Sequence, residues 1–355
     1  MQNPVTKTFK TIAITIILFI VLEIALQVRS HIRFGKSVFN AISETTTFVV
    51  DPKTGLLLLR PNAIIEGSQA TIQSNSLGLR DDEIGEKEDD EFRIAILGAS
   101  SVMGTYTKKN SDTISAKLNN TLSSHFPEKN FKVINAGIAG LVVYEQIKLL
   151  DEIIQPLNID LLVWYPGFND MTGYCLQQTE AKASQKVNFD LPKIQLPSWL
   201  LSIDLLIKNT IGLRTTEIQN TEQLDPSTLD TSRYSKKINQ LLDTAEKLNV
   251  PTLVVTNARA FRTDMPEKEQ YRLSETSRYY NNCFDLKGIN QLFDDHNLII
   301  KSVAESRGYP VLELNEYIPG GDTYFGDATH FTVKGSQKVA EIFEQKLITS
   351  GLIPQ

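Results

Sequence analysis

"FRIAILGASSVMG", residues 92–104, joins an apolar run of strand length to a tight, glycine-bounded turn that presents Ser100 and Ser101. Similar apolar runs recur at "FKVINA" (131–136), "IDLLVWY" (159–165), "TLVVT" (252–256) and "YPVLEL" (309–314). Between them lie segments of helical period near Thr113–Phe126, Val142–Gln155, Tyr234–Leu248 and Gly288–Arg307, and Ser336–Leu347 closes the chain. Continuous apolar strands separated by helices predict a parallel sheet covered on both faces. With right-handed crossovers this is an α/β, doubly wound, mostly parallel five-stranded sheet flanked by helices. In such sheets functional sites form in the loops beyond the carboxyl ends of the strands.

The chain as a whole is compatible with that design. It has 355 residues, 41% hydrophobic and 22% charged, with a net charge of −6 and a pI near 5.4. No basic stripe is available to neutralise phosphates, which argues against nucleic acid as a partner. Cys175 and Cys283 lie far apart and lack the paired spacing of a zinc site, so neither a metal nor a cofactor is expected. Sequence alone leaves open whether the two form a disulfide or remain buried thiols.

The N-terminus is a separate element. Thr11 to Val28, "TIAITIILFIVLEIALQV", carries one charge, Glu23, and approaches the ~20 residues needed to span hydrocarbon. No convincing small-x-small cleavage site follows it, so residues 8–28 read as an uncleaved transmembrane anchor and thus as a membrane contact. Glu23 lies near enough to the end of the segment to snorkel. Lys7 and Lys10 before the segment and Arg29, Arg33 and Lys36 after it leave its orientation undecided. Residues 29–90 are expected to be a linker and lead-in. That region includes "SNSLGLRD" (74–81), with turn chemistry, and it ends in the acidic run "DDEIGEKEDDE" (81–91), read as a solvated spacer. Residues 91–355 would form the main domain, with insertions near 174–230 and 257–287. Within the first insertion, "LPSWLLSIDLLIKNTIGL" (196–213) has helical spacing, and Trp199 there is a candidate for core packing, for a lid or for membrane contact.

The turns after the strands carry the chemistry. "GASSVMG" (98–104) offers a hydroxyl, "NAGIAG" (135–140) bare backbone amides, "PGFND" (166–170) the carboxamide of Asn169, and "GDATH" (326–330) an Asp/His pair. These are the parts acyl transfer requires: nucleophile, base, orienting carboxylate and donors for an oxyanion. No G-x-S-x-G is present, which disfavours the ordinary α/β-hydrolase elbow.

In these four separated blocks the chain resembles the SGNH, or GDSL-type, hydrolases over about residues 92–348. The resemblance implies a flavodoxin-like sheet and roles for individual residues. Ser100 matches the nucleophile, with Ser101 its only rival in the block. Gly140 and Asn169 match the oxyanion donors beside the Ser100 N–H, and Asp327 and His330 match the carboxylate and base. One position departs from the pattern: where the family usually has Gly-Asp-Ser, this chain has Gly98-Ala99-Ser100. By the same resemblance, a domain with such an N-terminal segment and lead-in is expected on the periplasmic, extracytoplasmic side of a membrane. The implied activity is a serine esterase forming an acyl-enzyme, acting as an O-acyl (acetyl) esterase on a cell-envelope glycan or related ester. The alternatives are an O-acyltransferase and a catalytically inactive, membrane-anchored binding domain. Arg259, Tyr279 and Tyr280, in the segment after the fourth strand, are candidate substrate contacts. His296, within "FDDHN", is expected to be a surface or capping residue.

Overall fold

The computed structural model describes residues 4–34, 47–66, 70–175, 202 and 223–354. The chain divides into two compact units. In the smaller one, helix α1 (Pro4–Phe34) has 31 residues, about 46 Å at 1.5 Å per residue. Its stretch Phe9–Arg29 has a mean hydropathy of 2.5 and is not buried in the protein. By length and composition α1 is able to cross a membrane, a character that anchors and signal sequences share. Glu23 is held within this unit: its carboxylate accepts hydrogen bonds from Gln27 Nε2 at 2.9 Å and from the Ser202 N–H at 3.0 Å. Trp199 and the rest of residues 196–213 except Ser202 lie outside the described residues.

The described residues of Phe48–Ile65, Gln69–Lys186 and Glu222–Gln355 form the larger unit. It opens with two short two-stranded sheets, β1 (Phe48–Val50) antiparallel to β2 (Leu57–Leu59), and β3 (Ile64–Glu66) paired with β4 (Thr71–Gln73). Then follow β5 (Glu91–Gly98), α2 (Ser100–Met103), α3 (Ile114–His125), β6 (Asn130–Gly137), α4 (Val143–Leu149) and β7 (Leu161–Tyr165). The second half holds α5 (Ser232–Lys247), β8 (Thr252–Val255), α6 (Glu275–Tyr280), α7 (Leu286–Ser306), β9 (Val311–Leu312) and α8 (Val333–Thr349).

Five strands form one all-parallel sheet in the order β6-β5-β7-β8-β9, the doubly wound arrangement expected. Successive side chains point to opposite faces of a strand, and both faces here are apolar. Ile94, Ile96, Leu161, Val163, Leu253 and Val255 pack with α3, α8 and the first half of α7. Ala95, Leu97, Ile134, Leu162, Trp164 and Val254 pack with α4, α5 and the second half of α7. The chain leaves β5 for β6 on one side and returns across it to β7 on the other. The strand order therefore reverses between β5 and β7, where a crevice opens beyond their carboxyl ends.

The lead-in is more than a spacer. Leu56, Leu58 and Leu79 join the second face of the core, and burying a leucine contributes about 2 kcal/mol. Arg80 is 1% exposed. The first residue of the acidic run, Asp81, is half-buried, and its carboxylate accepts the Asn135 N–H at 2.9 Å. Burial pushes that carboxyl above the ordinary range, against the lowering effect of the Asn135 bond.

His296 is a correction to the sequence reading. It is fully buried, stacked on Tyr234 with 4.2 Å between centroids, and its Nε2 lies 3.2 Å from Tyr174 Oη. Phe293, His296 and Ile300 share the inward stripe of α7, whereas Asp294, the acid that gave the segment its surface look, points outward. Burial lowers the imidazole pKa to about 3.

Candidate active site

Ser100 stands at the first position of α2, immediately beyond the carboxyl end of β5. Two bonds from the amides of Val102 and Met103 to the Ala99 carbonyl make the turn. Ala99 itself is 3% exposed. A methyl group placed on Gly167 would lie 2.7 Å from the Ala99 side chain and 3.7 Å from Asn169 Nδ2. The nucleophile turn and the turn after β7 are thus in close contact, and a bare glycine is what permits it.

His330 reaches this turn from the far end of the sequence. Its Nε2 lies 2.7 Å from Ser100 Oγ. On the other side of the ring, Nδ1 lies 2.9 and 2.8 Å from the two carboxylate oxygens of Asp327. Asp327 Oδ1 also accepts the N–H groups of Thr329 and His330, each at 3.0 Å, which folds the loop around the carboxylate. Burial works against the charge on Asp327, but the bonds from His330 and the backbone outweigh it and hold its pKa below the ordinary value. Two residues beyond His330, Thr332 caps α8 by accepting the Gly335 N–H at 3.0 Å. Ser101, the rival hydroxyl, donates to the Thr329 carbonyl at 3.0 Å and so ties the two loops together. An alcohol bonded to an imidazole that is bonded to a carboxylate can surrender its proton as it attacks a carbonyl.

Remote similarity exists to solved structures. A GDSL-like lipase from Bacteroides thetaiotaomicron is 13% identical, with a TM-score of 0.41, covering 75% of this chain and 92% of that one. A lipase/acylhydrolase from Enterococcus faecalis is 14% identical, with a TM-score of 0.43, covering 73% and 96%. An acetylxylan esterase from Geobacillus stearothermophilus is 14% identical, with a TM-score of 0.43, covering 74% and 95%. No protein-family model and no curated protein matches the chain. The chemistry follows from this chain's own contacts.

The residues expected as oxyanion donors lie on neighbouring turns. As the first residue of a helix, Ser100 has an N–H without an intrahelical partner. Gly140 is exposed, with φ +89°, a left-handed conformation that suits glycine. Asn169, on the turn after β7, donates through Nδ2 to the Leu141 carbonyl at 3.0 Å, which ties its loop to that of Gly140 and leaves one amide hydrogen to use. The neighbouring Asp170 accepts the Val143 N–H at 2.9 Å and the Lys237 ammonium at 3.1 Å. Its burial nevertheless raises its pKa.

The three candidate substrate contacts divide. Arg259 is 4% exposed, bonded to Asp294 at 2.8 Å and to the Phe261 carbonyl at 3.2 Å, with its guanidinium 5.5 Å from the Phe261 ring centre and 5.3 Å from that of Phe293. Its burial and these contacts make it a structural residue rather than an exposed substrate contact. Tyr279 and Tyr280 are 75% and 56% exposed. Tyr280 meets Phe168, which precedes Asn169, edge-on at 6.4 Å. A disulfide between Cys175 and Cys283, with Cα atoms 5.5 Å apart, links the segment after Asn169 to the one after Tyr280.

Tyr106 is a site residue the sequence reading missed. Its ring stacks on His330 at 5.6 Å with an interplanar angle of 26°. It also lies close against Gly326, where any side chain would collide with it at 2.3 Å. Nothing in "TYTKKN" (105–110) signals this, since the contact spans more than two hundred residues.

Proposed function

We propose that this chain is a serine esterase of the SGNH/GDSL type, with Ser100 as nucleophile, His330 as general base and acid, and Asp327 as the carboxylate that orients the imidazole. The observation that carries this is the contact of Ser100 Oγ with His330 Nε2 at 2.7 Å, in line with the Asp327 contact at Nδ1. Ser100 Oγ attacks the ester carbonyl carbon while its proton passes to His330 Nε2. The carbonyl oxygen, now an oxyanion, takes hydrogen bonds from the Ser100 and Gly140 N–H groups and the Asn169 amide. The C–O bond to the leaving alcohol breaks as His330 returns the proton to that oxygen. Water, deprotonated by His330, then attacks the acyl-Ser100 carbonyl; the bond to Ser100 Oγ breaks as His330 returns the proton to that oxygen, releasing the carboxylic acid and regenerating Ser100. The held triad argues against an inactive binding domain.

The substrate we assign is an O-acetyl ester on a cell-envelope glycan. The exposed Tyr279 and Tyr280 support a sugar substrate: Tyr280 meets Phe168 beside Asn169, and exposed aromatic faces offer stacking surfaces for pyranose rings. Helix α1 supports attachment to a membrane, and the Cys175–Cys283 disulfide supports a domain on the oxidising, extracytoplasmic side. The test is to incubate the full chain, in detergent, with acetylated glycan oligomers, with and without unacetylated acceptor. Free acetate, absent with Ser100→Ala, is the expected product. Acetyl groups appearing on the acceptor instead would make the protein an O-acyltransferase using the same acyl-enzyme. No acetyl loss from any ester by the parent protein would refute the proposal.

A further inference from the structure

Arg80 lies in the lead-in, outside the four blocks that carry the triad and the oxyanion donors. It is 1% exposed, and among the described residues no carboxylate pairs with it directly. All of its nitrogens are instead spent on one loop and its neighbours. Nη1 donates to the carbonyls of Met103 and Gly104 and to Thr107 Oγ1. Nη2 donates to the carbonyls of Thr107 and Thr71, at 3.1 and 3.4 Å. Nε donates to Asn110 Oδ1 at 3.0 Å.

These partners lie on both sides of Tyr106. Met103 and Gly104 end α2, the helix whose first residue is Ser100, and Gly104 turns the chain with φ +84°. Thr107 follows Tyr106, and beyond it β4 is stitched to the same loop by the Thr71 N–H on the Lys108 carbonyl at 2.9 Å and by two bonds between Gln73 and Asn110. Tyr106 emerges from this bracket to stack on His330 and to lie against Gly326. One planar, charged fork therefore fixes both the carbonyl end of the nucleophile helix and the turn that backs the imidazole. A lysine, a point charge with three donors, does not reproduce the fork.

The geometry points to Arg80 as a positioning residue that sets the Ser100–His330 approach through the 103–107 loop and Tyr106, making the lead-in part of the catalytic machinery. The proposal rests on the esterase reading above.

The cleft of about 570 Å³ lined by Thr71, Arg80, Asn110 and Lys109 gives small solutes access to this place. It makes chemical rescue a direct test. Full-chain Arg80→Ala, in detergent, is assayed on an activated acetyl ester. A misplacement near 1 Å costs as much as about 10²-fold, so kcat is expected to fall about 10- to 100-fold, with KM within about threefold. Guanidinium ion, added well below denaturing concentrations, is expected to restore several-fold of kcat in Arg80→Ala and none in the parent. A purely structural role would lower the amount of folded protein without this kcat-against-KM split and without rescue.

If Arg80→Ala does not fold, Thr107→Val removes one hydroxyl from the same bracket, and with it two buried bonds, one accepted from Arg80 Nη1 and one donated to the Gly104 carbonyl; a fall in kcat of about three- to tenfold is expected. A folded Arg80→Ala with parental kcat, a folded Arg80→Ala whose lost kcat guanidinium does not recover, or an unaltered Thr107→Val would each overturn the positioning role. A parent protein that neither turns over the ester nor reacts at Ser100 would instead overturn the esterase reading, so the two failures are distinguishable.

Discussion

Asp327→Asn is the substitution that separates the chemistry of the triad from its architecture. Asp327 Oδ1 accepts two backbone N–H groups at 3.0 Å, and both carboxylate oxygens face His330 Nδ1. An asparagine keeps its carbonyl oxygen on the two backbone donors, which turns its NH2 toward Nδ1 at the position of Oδ2, 2.8 Å away. Nδ1 must then accept, so the ring proton moves to Nε2. At 2.7 Å from Ser100 Oγ, a protonated Nε2 donates where catalysis requires it to accept. The loss of a correctly oriented base in such triads is worth about 10⁴ in kcat, or about 5.4 kcal/mol at 1.36 kcal/mol per tenfold. Because the local bonds are exchanged rather than removed, folding stability should change by no more than about 1 kcal/mol. Hydrolysis of an activated acetyl ester, measured beside a urea unfolding curve, reads both quantities. A variant within tenfold of the parent in kcat would show that the carboxylate does not set the tautomer, and the mechanism would have to be abandoned.

Two further outcomes follow from the same contacts. Asn169→Ala should lower kcat by about 10²–10³ while leaving Ser100 reactive, since one oxyanion donor is lost and the Ser100 and Gly140 amides remain; equal kcat in the two proteins would remove Asn169 from the site. His296, whose folded pKa is about 3, stays neutral in the folded protein while the unfolded chain takes up a proton below about pH 6.5. The parent should therefore lose about 1.4 kcal/mol of stability per pH unit from about 6.5 down to about 3, relative to His296→Phe. The variant is the reference because Asp81 and Asp170, with raised carboxyl pKa values, tilt the parent's own curve the other way. Parallel urea midpoints for the two proteins across that range would contradict the buried neutral imidazole.

What the sequence made legible were the features that local spacing encodes. Apolar runs such as "FRIAIL" and "IDLLVWY" became β5 and β7 because each strand of a doubly covered sheet is apolar on both faces. The Asp327–His330 contact was legible because the two residues are three positions apart and the pair fits within one turn. Contacts made by folding were not legible. Tyr106 gains its place on His330 from a loop whose shape Arg80 dictates, and neither residue carries a local pattern. Arg259, read as a loop residue free to meet substrate, is drawn inward by the Phe261 and Phe293 rings and by Asp294. His296 was misread for a related reason: its acidic neighbours dominate the string of letters, but the helical turn puts it on the opposite side from Asp294. The lead-in looked polar, yet Leu56, Leu58 and Leu79 bury against the sheet.

The most direct test of the central claim is the mass of the full chain after treatment with a fluorophosphonate, followed by peptide mapping of the adduct. The account predicts one added phosphonyl group, carried by Ser100 and lost in both Ser100→Ala and His330→Ala. An adduct on Ser101 or elsewhere, or an unmodified protein at saturating reagent, would contradict it.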